Sequence, residues 1–202
     1  MNKQMKALTI ALGTSMVLAS GAAMAESTYG FNSTGVGVVT ATARVNVSVT
    51  VPKLILLRVG SAGATIDTLS WTTGLSIPAG SLVPSVTANN AAVAWDGAAP
   101  TATTSTNPAA LAVYAWSNFA GTTVNCAATP ITAGGPTLAN FTVTATGTLP
   151  HPGANLGACA ATAAIAANTV ATGTWAYALG GAPGTWTAGA YSSVITYTAT
   201  SL

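Results

Sequence analysis

Charged residues are scarce in this sequence. Its 202 residues include only five Lys or Arg and three Asp or Glu, and two of the basic residues, Lys3 and Lys6, lie close to the N-terminus. The rest of the chain carries three positive and three negative charges, which cancel. Three basic side chains cannot form the positive stripe that a nucleic-acid backbone requires, whereas a net charge near zero favours association between protein surfaces. We therefore expect protein partners and no nucleic acid, although an Ala- and Thr-rich host composition would also explain the scarcity of charge.

Residues suited to acid–base or metal chemistry are equally few. His151 is the only histidine, Glu26 lies in the N-terminal part of the chain, and Asp67 and Asp96 each lie in a predicted turn. The sequence has no G-x-S-x-G motif, no Gly-rich loop opening a helix and no His/Cys/Asp cluster at metal-ligand spacing. Asp67 and Asp96 could in principle form a glycosidase pair, but only their scarcity suggests it. We predict that the protein is not an enzyme and binds no cofactor or metal.

Long apolar runs are absent beyond the N-terminal segment. Lys3 and Lys6 precede an uncharged, mostly apolar stretch at residues 7–18, and an A-x-A sequence ends at Ala25, directly before Glu26. This order predicts a secretory signal peptide over residues 1–25, cleaved between Ala25 and Glu26. No later segment has about eighteen large apolar residues in a row. We expect an exported mature chain with no membrane span.

Only two cysteines are present, Cys126 and Cys159. An even number of cysteines in an exported chain favours a structural disulfide. Reactive thiols or metal ligands are the alternative, but neither cysteine lies in a C-x-x-C motif.

The most regular pattern lies between Val39 and Val51, where apolar and polar residues alternate without a break. Because side chains of a strand point alternately to opposite faces, the pattern predicts a strand with one apolar and one polar face. Its thirteen residues would span about 43 Å, against about 17–20 Å for a usual strand. We interpret part of this strand as a connector that occupies the groove of a neighbouring subunit. The alternative is a long first strand of a self-complete sandwich.

The remainder of the chain contains short runs of β-branched and aromatic residues between Gly, Pro and Asn turns, and helical signals are nearly absent. The other predicted strands are Leu54–Val59, Leu69–Trp71, Leu82–Thr87, Val93–Trp95, Ala110–Asn118, Thr122–Ala127, Leu138–Thr146, Thr172–Tyr177 and Ser192–Thr200. An Ala-rich segment, Ala158–Ala167, is the one candidate for a helical turn. The spacing of the strands predicts one antiparallel, immunoglobulin-like β-sandwich. In the last strand, Val194, Ile195 and Tyr197 are the residues expected to close the fold.

The signal peptide, the alternating N-terminal arm, the single disulfide, the all-β body and a closing A-G-x-Y…T-Y-T-A strand together resemble pilus subunits of the chaperone–usher class. The archaic, spore-coat-U-like branch is the most similar. The resemblance implies an incomplete sandwich that is completed by a donated strand, first from a periplasmic chaperone and then from the next subunit at an outer-membrane usher.

Applied to this chain, the resemblance implies a donor arm at residues 26–44, extending as far as residue 51, and a single pilin domain at residues 45–202. Val45, Val47 and Val49 are the expected pocket-filling side chains. The function implied is that of a structural subunit of a bacterial surface pilus, or fimbria, that polymerises by donor-strand exchange and supports adhesion or biofilm formation.

A secreted, self-complete binding module or adhesin that recognises a surface glycan is the alternative. Tryptophan rings can stack on sugars, and the sequence has five of them, Trp71, Trp95, Trp116, Trp175 and Trp186. Of these, Trp186 is expected to be exposed because Gly184 and Gly189 flank it. Core packing is the competing explanation for all five.

Overall fold

A computed structural model describes residues 27–78, 80, 82–85, 87–162 and 164–201. The chain divides into an N-terminal unit that ends at Val51 and a second unit that begins at Pro52. The predicted signal peptide and its cleavage site, Ala25 and Glu26, lie outside the described residues. None of the helices in the described segments is long and apolar enough to cross a membrane.

The described part of the second unit contains eight strands and two short 3-10 helices. The strands are β1 (Ile55–Val59), β2 (Thr73–Ser76), β3 (Thr101–Thr104), β4 (Leu111–Ser117), β5 (Thr123–Ala128), β6 (Phe141–Gly147), β7 (Ala171–Leu179) and β8 (Ile195–Thr200). The helices are Leu138–Asn140 and Pro183–Thr185. All strand pairs are antiparallel, in a four-stranded sheet of order β1-β4-β7-β6 and the two-stranded pairs β2-β3 and β5-β8.

The core lies between the four-stranded sheet and the β5-β8 pair. Alternate residues of β4 and β7 point inward, so that Val113, Trp175 and Tyr177 are buried. Val124 of β5 is also fully buried and belongs to the same cluster, against which Tyr197 of β8 packs. This arrangement confirms the prediction of an all-β, antiparallel sandwich. The missing strand stays a prediction.

The strands with large alternating side chains lie where the sequence predicts them, but six other segments differ. The predicted strands Leu69–Trp71 and Val93–Trp95 are irregular, and Leu82 forms only an isolated bridge with Ile77. The strands β2 and β3 were not predicted. No helix is found in the described part of Ala158–Ala167.

The irregular structure around Trp95 has a local cause. Its indole Nε1 donates to the carbonyl of Ala98 at 2.7 Å, and the backbone N–H of Ala98 donates to Asp96 Oδ1 at 2.9 Å. An aspartate that accepts from a backbone N–H two residues later forms a turn. The turn at Asp96 therefore replaces the end of the predicted strand.

The N-terminal unit is described from residue 27 and is exposed along its length. Thr28 and Thr42 exchange two hydrogen bonds of 2.8 Å, and Asn32 Oδ1 accepts from the N–H of Thr34 at 2.9 Å in a turn between them. The alternating segment Val39–Val51 was predicted to be a strand, but it belongs to no ladder here. A strand needs a partner edge to satisfy its backbone groups, and this segment has none within the described chain.

The predicted disulfide is present and joins Cys126 to Cys159, with their Cα atoms 5.3 Å apart. Cys126 lies on β5, and Cys159 begins a segment that runs along the outer edge of that strand. The N–H groups of Thr162 and Ile165 in this segment donate to Val124 and Thr122, each at 2.8 Å. The disulfide therefore fastens a covering segment to the edge of β5.

Replacing both cysteines by alanine should lower the free energy of unfolding by about 3.7 kcal/mol, the chain-entropy value for a closed loop of this length. Urea unfolding followed by tryptophan fluorescence measures the change. Ala127→Ser, at an exposed site on the same strand, is the control and should change the value by no more than about 0.5 kcal/mol. A loss below about 1 kcal/mol in the double variant would contradict the prediction.

Candidate functional site

Two of the four outer strand edges in the sandwich are covered by neighbouring chain. The edge of β5 is covered by the segment that carries Cys159. The edge of β6 is covered by the chain near Asn155, which forms a bridge with Thr142. Two backbone hydrogen bonds flank that bridge, from Val143 N–H to Ala154 at 2.9 Å and from Leu156 N–H to Phe141 at 3.0 Å. Backbone groups of Thr122 and Val124 at the β5 edge, and of Phe141 and Val143 at the β6 edge, are therefore satisfied.

The outer edge of β1 is different, because β4 is its one ladder neighbour in the described chain. Leu54 accepts from the N–H of Asn118 at 3.3 Å, and the N–H of Gly60 donates to Ala112 at 2.8 Å. Hydrogen-bonded positions alternate in an antiparallel pair, so the even-numbered residues of β1 bond to β4. The backbone groups of the odd-numbered residues, Ile55, Leu57 and Val59, therefore face the open edge.

Strand β8 has the same arrangement. Its ladder neighbour among the described residues is β5, and the N–H of Thr129 donates to Val194 at 3.0 Å just before the strand begins. The same alternation leaves the backbone groups of Ile195, Tyr197 and Ala199 facing the open edge.

These two open edges are close to each other. Cα atoms of β1 and β8 approach within 8 Å, although no ladder joins the strands. Ladder neighbours lie about 4.8 Å apart, so a strand placed between them requires about 9.6 Å. Because Cα atoms of the two strands now approach within 8 Å, β1 and β8 must move apart to admit an additional strand. We call the six residues whose backbone groups face this gap the β1–β8 seam: Ile55, Leu57, Val59, Ile195, Tyr197 and Ala199.

The side chains of the seam point inward but are only half-buried, all six of them. Inward side chains in the middle of the sheet, such as Val113 and Trp175, are fully buried. An apolar side chain stabilises a fold in proportion to the area it removes from water. The sandwich is therefore open to solvent along one side, in both its backbone and its core.

A cluster of aromatic side chains lies behind the middle of the seam. The hydroxyl of Tyr197 is 2.9 Å from His151 Nε2 and 2.8 Å from the hydroxyl of Tyr177. The imidazole packs edge-on against the ring of Trp175, with ring centroids 4.8 Å apart. Trp175 is itself fixed by a hydrogen bond of 3.1 Å from its Nε1 to the carbonyl of Leu149.

The hydrogen bonds of His151 assign its proton. Nδ1 lies 2.6 Å from the carbonyl oxygen of Gly153, and two acceptors at that distance would repel each other unless a hydrogen lay between them. The backbone N–H of Gly153 also points at Nδ1, at 3.1 Å, as it would in the other tautomer. We assign the proton to Nδ1 because its 2.6 Å contact with the carbonyl is the shorter one, so that Nδ1 donates to that carbonyl and Nε2 accepts from the hydroxyl of Tyr197. The hydroxyl of Tyr197 in turn accepts from that of Tyr177. In this arrangement Tyr177 donates to Tyr197, and Tyr197 donates to His151.

Burial shifts the titration of all three side chains toward their neutral forms. It lowers the pKa of His151 below its ordinary value of 6.5, and the hydrogen bond to Gly153 opposes this only in part. Burial also raises the pKa of Tyr177 and of Tyr197. At neutral pH the cluster is uncharged.

The residues predicted from the alternating arm are on one exposed face. Val45, Val47 and Val49 are 80%, 85% and 80% exposed. In the predicted closing strand, Ile195 and Tyr197 lie on β8, but Val194 precedes it and is exposed. Val194 still bonds to Thr129 through its backbone and thus extends the β5-β8 pairing by one residue. The sequence analysis did not identify β1 as the second open strand edge of the seam. It also did not identify the cluster of aromatic side chains around His151.

A second apolar surface lies on the outer face of β1 and β4. It is a shallow depression of about 470 Å³, lined among others by Leu56, Tyr114, Trp116 and Val170. The Arg58 guanidinium lies over the ring of Tyr114, 5.1 Å from its centroid. Trp186 was expected to be exposed but is half-buried, whereas Trp95 is 60% exposed.

The two candidate carboxylates each accept hydrogen bonds from residues close to them in sequence. Asp67 accepts from the hydroxyl of Ser61 at 2.7 Å, a contact that lowers its pKa, and Asp96 holds the turn described above. Among the described residues, no three His, Cys, Asp or Glu side chains are grouped so that they could hold a metal ion. Comparison of the chain with known protein families, with curated proteins and with solved structures finds no match.

Replacing Tyr197 with phenylalanine should lower the free energy of unfolding by about 2 kcal/mol, because both His151 and Tyr177 lose a partner. Tyr177→Phe is the matched control, since it breaks a single hydrogen bond and should cost about 1 kcal/mol. Urea unfolding at neutral pH measures both changes. Equal losses in the two variants would contradict the central position of Tyr197.

Acid should destabilise the fold through His151. Its folded-state pKa lies below the unfolded value of about 6.5, so the unfolded chain binds the proton more tightly. The stabilisation is complete above about pH 6.5 and is lost as the pH falls through the folded-state pKa. For one proton the slope is at most about 1.4 kcal/mol per pH unit, and partial exposure of the ring reduces it.

Urea unfolding from about pH 7.5 to pH 5 measures this slope. His151→Gln, whose amide oxygen can accept from Tyr197, should flatten it. Asp67 does not confuse the comparison, because its lowered pKa affects stability only below its ordinary value of 3.8. An unchanged slope in His151→Gln would show that another group is responsible.

Proposed function

We propose that this protein is a structural subunit of a bacterial surface pilus, or fimbria, which polymerises when the N-terminal arm of one subunit enters the β1–β8 seam of another. The open seam is the observation that carries the proposal. Two neighbouring strand edges with unpaired backbone groups, above half-buried apolar side chains, match what an added strand satisfies.

The arm fits the seam in length and in pattern. Each side of the seam presents three inward side chains over five residues, about 13 Å from first to last. Val45, Val47 and Val49 also present three apolar side chains over five residues. A slip of one residue would turn Arg44 and Asn46 toward the core instead, so the register is well defined.

The energetics favour a stable assembly. Burial of three valine side chains at about 1.5 kcal/mol each contributes about 4.5 kcal/mol, and the backbone hydrogen bonds of the seam are gained in addition. Valine has little rotamer freedom to lose on ordering. Donation from each subunit to the next is a heterologous contact, which produces open filaments rather than closed rings.

The resemblance to chaperone–usher subunits supplies the proposed partners and location. A periplasmic chaperone would occupy the seam before assembly, and an outer-membrane usher would exchange it for the arm of another subunit. The disulfide is consistent with export to an oxidising compartment. The proposed polymer is extracellular and supports adhesion or biofilm formation.

Replacing Val47 with aspartate should abolish polymers, because it places an unpaired charge in an apolar site. Ser48→Asp introduces the same charge one position along the arm, on the polar face, and is the matched control. We expect Ser48→Asp to polymerise like the unchanged protein. Size-exclusion chromatography, heat-resistant ladders on gels and negative-stain microscopy of the exported protein measure assembly.

Two results would contradict the proposal. Polymers of Val47→Asp with unchanged heat resistance would exclude the arm as the connector. Compact monomers of the unchanged protein, with or without chaperone and usher, would favour the self-complete alternative.

A glycan-binding module is the second candidate. The aromatic depression on the outer face favours it, because Tyr114 and Trp116 offer apolar ring surface next to the Arg58 guanidinium. The depression has no cover within the described chain, but it does not account for the open seam. The pilus subunit is therefore the better-supported function.

A further inference from the structure

His151 and the β1–β8 seam are joined through a single side chain. Tyr197 presents its backbone groups to the seam, while its hydroxyl bonds to His151 at 2.9 Å on the inner side. His151 follows β6 in the chain, outside any strand. The ring is half-buried, so a proton from solvent can reach it.

We propose that His151 is an acid-sensitive latch that holds β8 in place at neutral pH and releases it on protonation, so that acid weakens retention of a strand bound in the seam. The inference rests on the proposed function for the identity of the bound strand. The effect on β8 itself does not depend on it.

Protonation reverses the hydrogen bonds of the cluster. In the tautomer assigned above, with the proton on Nδ1, Nε2 accepts from Tyr197, which accepts from Tyr177. When Nε2 gains a proton it must donate to the hydroxyl oxygen of Tyr197, and the Tyr197 hydrogen must turn toward Tyr177. The hydroxyl hydrogen of Tyr177 then loses the acceptor that it has in the neutral state, which is costly for a buried group.

Among the described residues, no carboxylate is found in contact with the His151 ring to form an ion pair with the new charge. The groups that face its ring are Trp175 from β7, Tyr177 from β7 and Tyr197 from β8, together with the carbonyl of Gly153. Tyr177 and Tyr197 are the titratable members of this set, and both stay protonated because burial raises the pKa of each. Burial of the imidazole therefore favours its neutral form.

The latch is tested on the full exported chain by amide hydrogen exchange of β8 at about pH 7.5 and about pH 5, corrected for intrinsic exchange rates. Each variant is compared with itself at the two pH values. The protection of β8 in the unchanged protein should fall at acid pH, by on the order of tenfold for each unit that separates the folded and unfolded pKa values. In His151→Gln the fall should be less than about twofold, because glutamine keeps an acceptor but takes no proton.

Tyr197→Phe tests whether the effect of protonation reaches β8 through the Tyr197 hydroxyl, or whether a charge on His151 destabilises the fold in general. Without the hydroxyl, protonation of His151 no longer reaches β8, so the acid-induced loss should shrink in this variant too. Equal acid-induced losses in the unchanged protein and in His151→Gln would overturn the latch, whatever the assembly state.

Assembly is measured in parallel as the dissociation rate of preformed polymers at the same two pH values. Faster dissociation in acid for the unchanged protein, but not for His151→Gln, supports the latch at the seam. Polymers that dissociate equally fast at both pH values overturn it, while leaving the proposed function intact. If no polymers form, the proposed function fails and the exchange of β8 still decides the latch.

Discussion

The structure depends on one constraint, which is that every backbone N–H and C=O removed from water needs a partner. Strands β4 and β7 have ladder neighbours on both sides, and covering segments bond to part of the outer edges of β5 and β6. β1 and β8 have a ladder neighbour on one side among the described residues. The half-buried side chains behind them follow from the same cause, because a core is closed only where the strands above it are paired. An added strand would pair the open backbone groups and cover the half-buried side chains at the same time. The proposed function therefore rests on the seam and not on the aromatic depression.

The treatment of the other edges supports this interpretation. The edge of β5 is covered by a segment that a disulfide fastens in place, and the edge of β6 is covered by a bridge at Asn155. The chain therefore protects the two edges that lie away from the seam. An edge left open while its counterparts are covered is consistent with an edge kept for a partner, since unprotected edges otherwise promote aggregation.

Much of the sandwich could be predicted from sequence, because β1 and β4 to β8 contain apolar or β-branched residues with a period of two. The short strands β2 and β3 could not, since Thr73–Ser76 and Thr101–Thr104 are built mainly of small polar residues that are equally common in turns. The arm was predicted to be a strand from a pattern that describes its faces but not its partner. The contact between His151 and Tyr197 joins residues 46 positions apart, and no local pattern reports a contact created by the packing of β8 against β7.

The scarcity of charge has a structural meaning in this fold. Edge strands are usually protected by lysine, proline or inward-pointing charges, which prevent pairing with another chain. β8 has no charged residue, and the one charge on β1, Arg58, lies on the outer face against Tyr114. The six seam residues themselves therefore include no charge and no proline, and the core-facing walls of the seam are apolar on both sides. Under the proposed function the seam would be occupied soon after folding, and the exposed valines of the arm have the period that such pairing requires. The low charge that led us to expect no nucleic-acid partner is thus also compatible with the proposed partner of the seam, the arm of another copy of the chain.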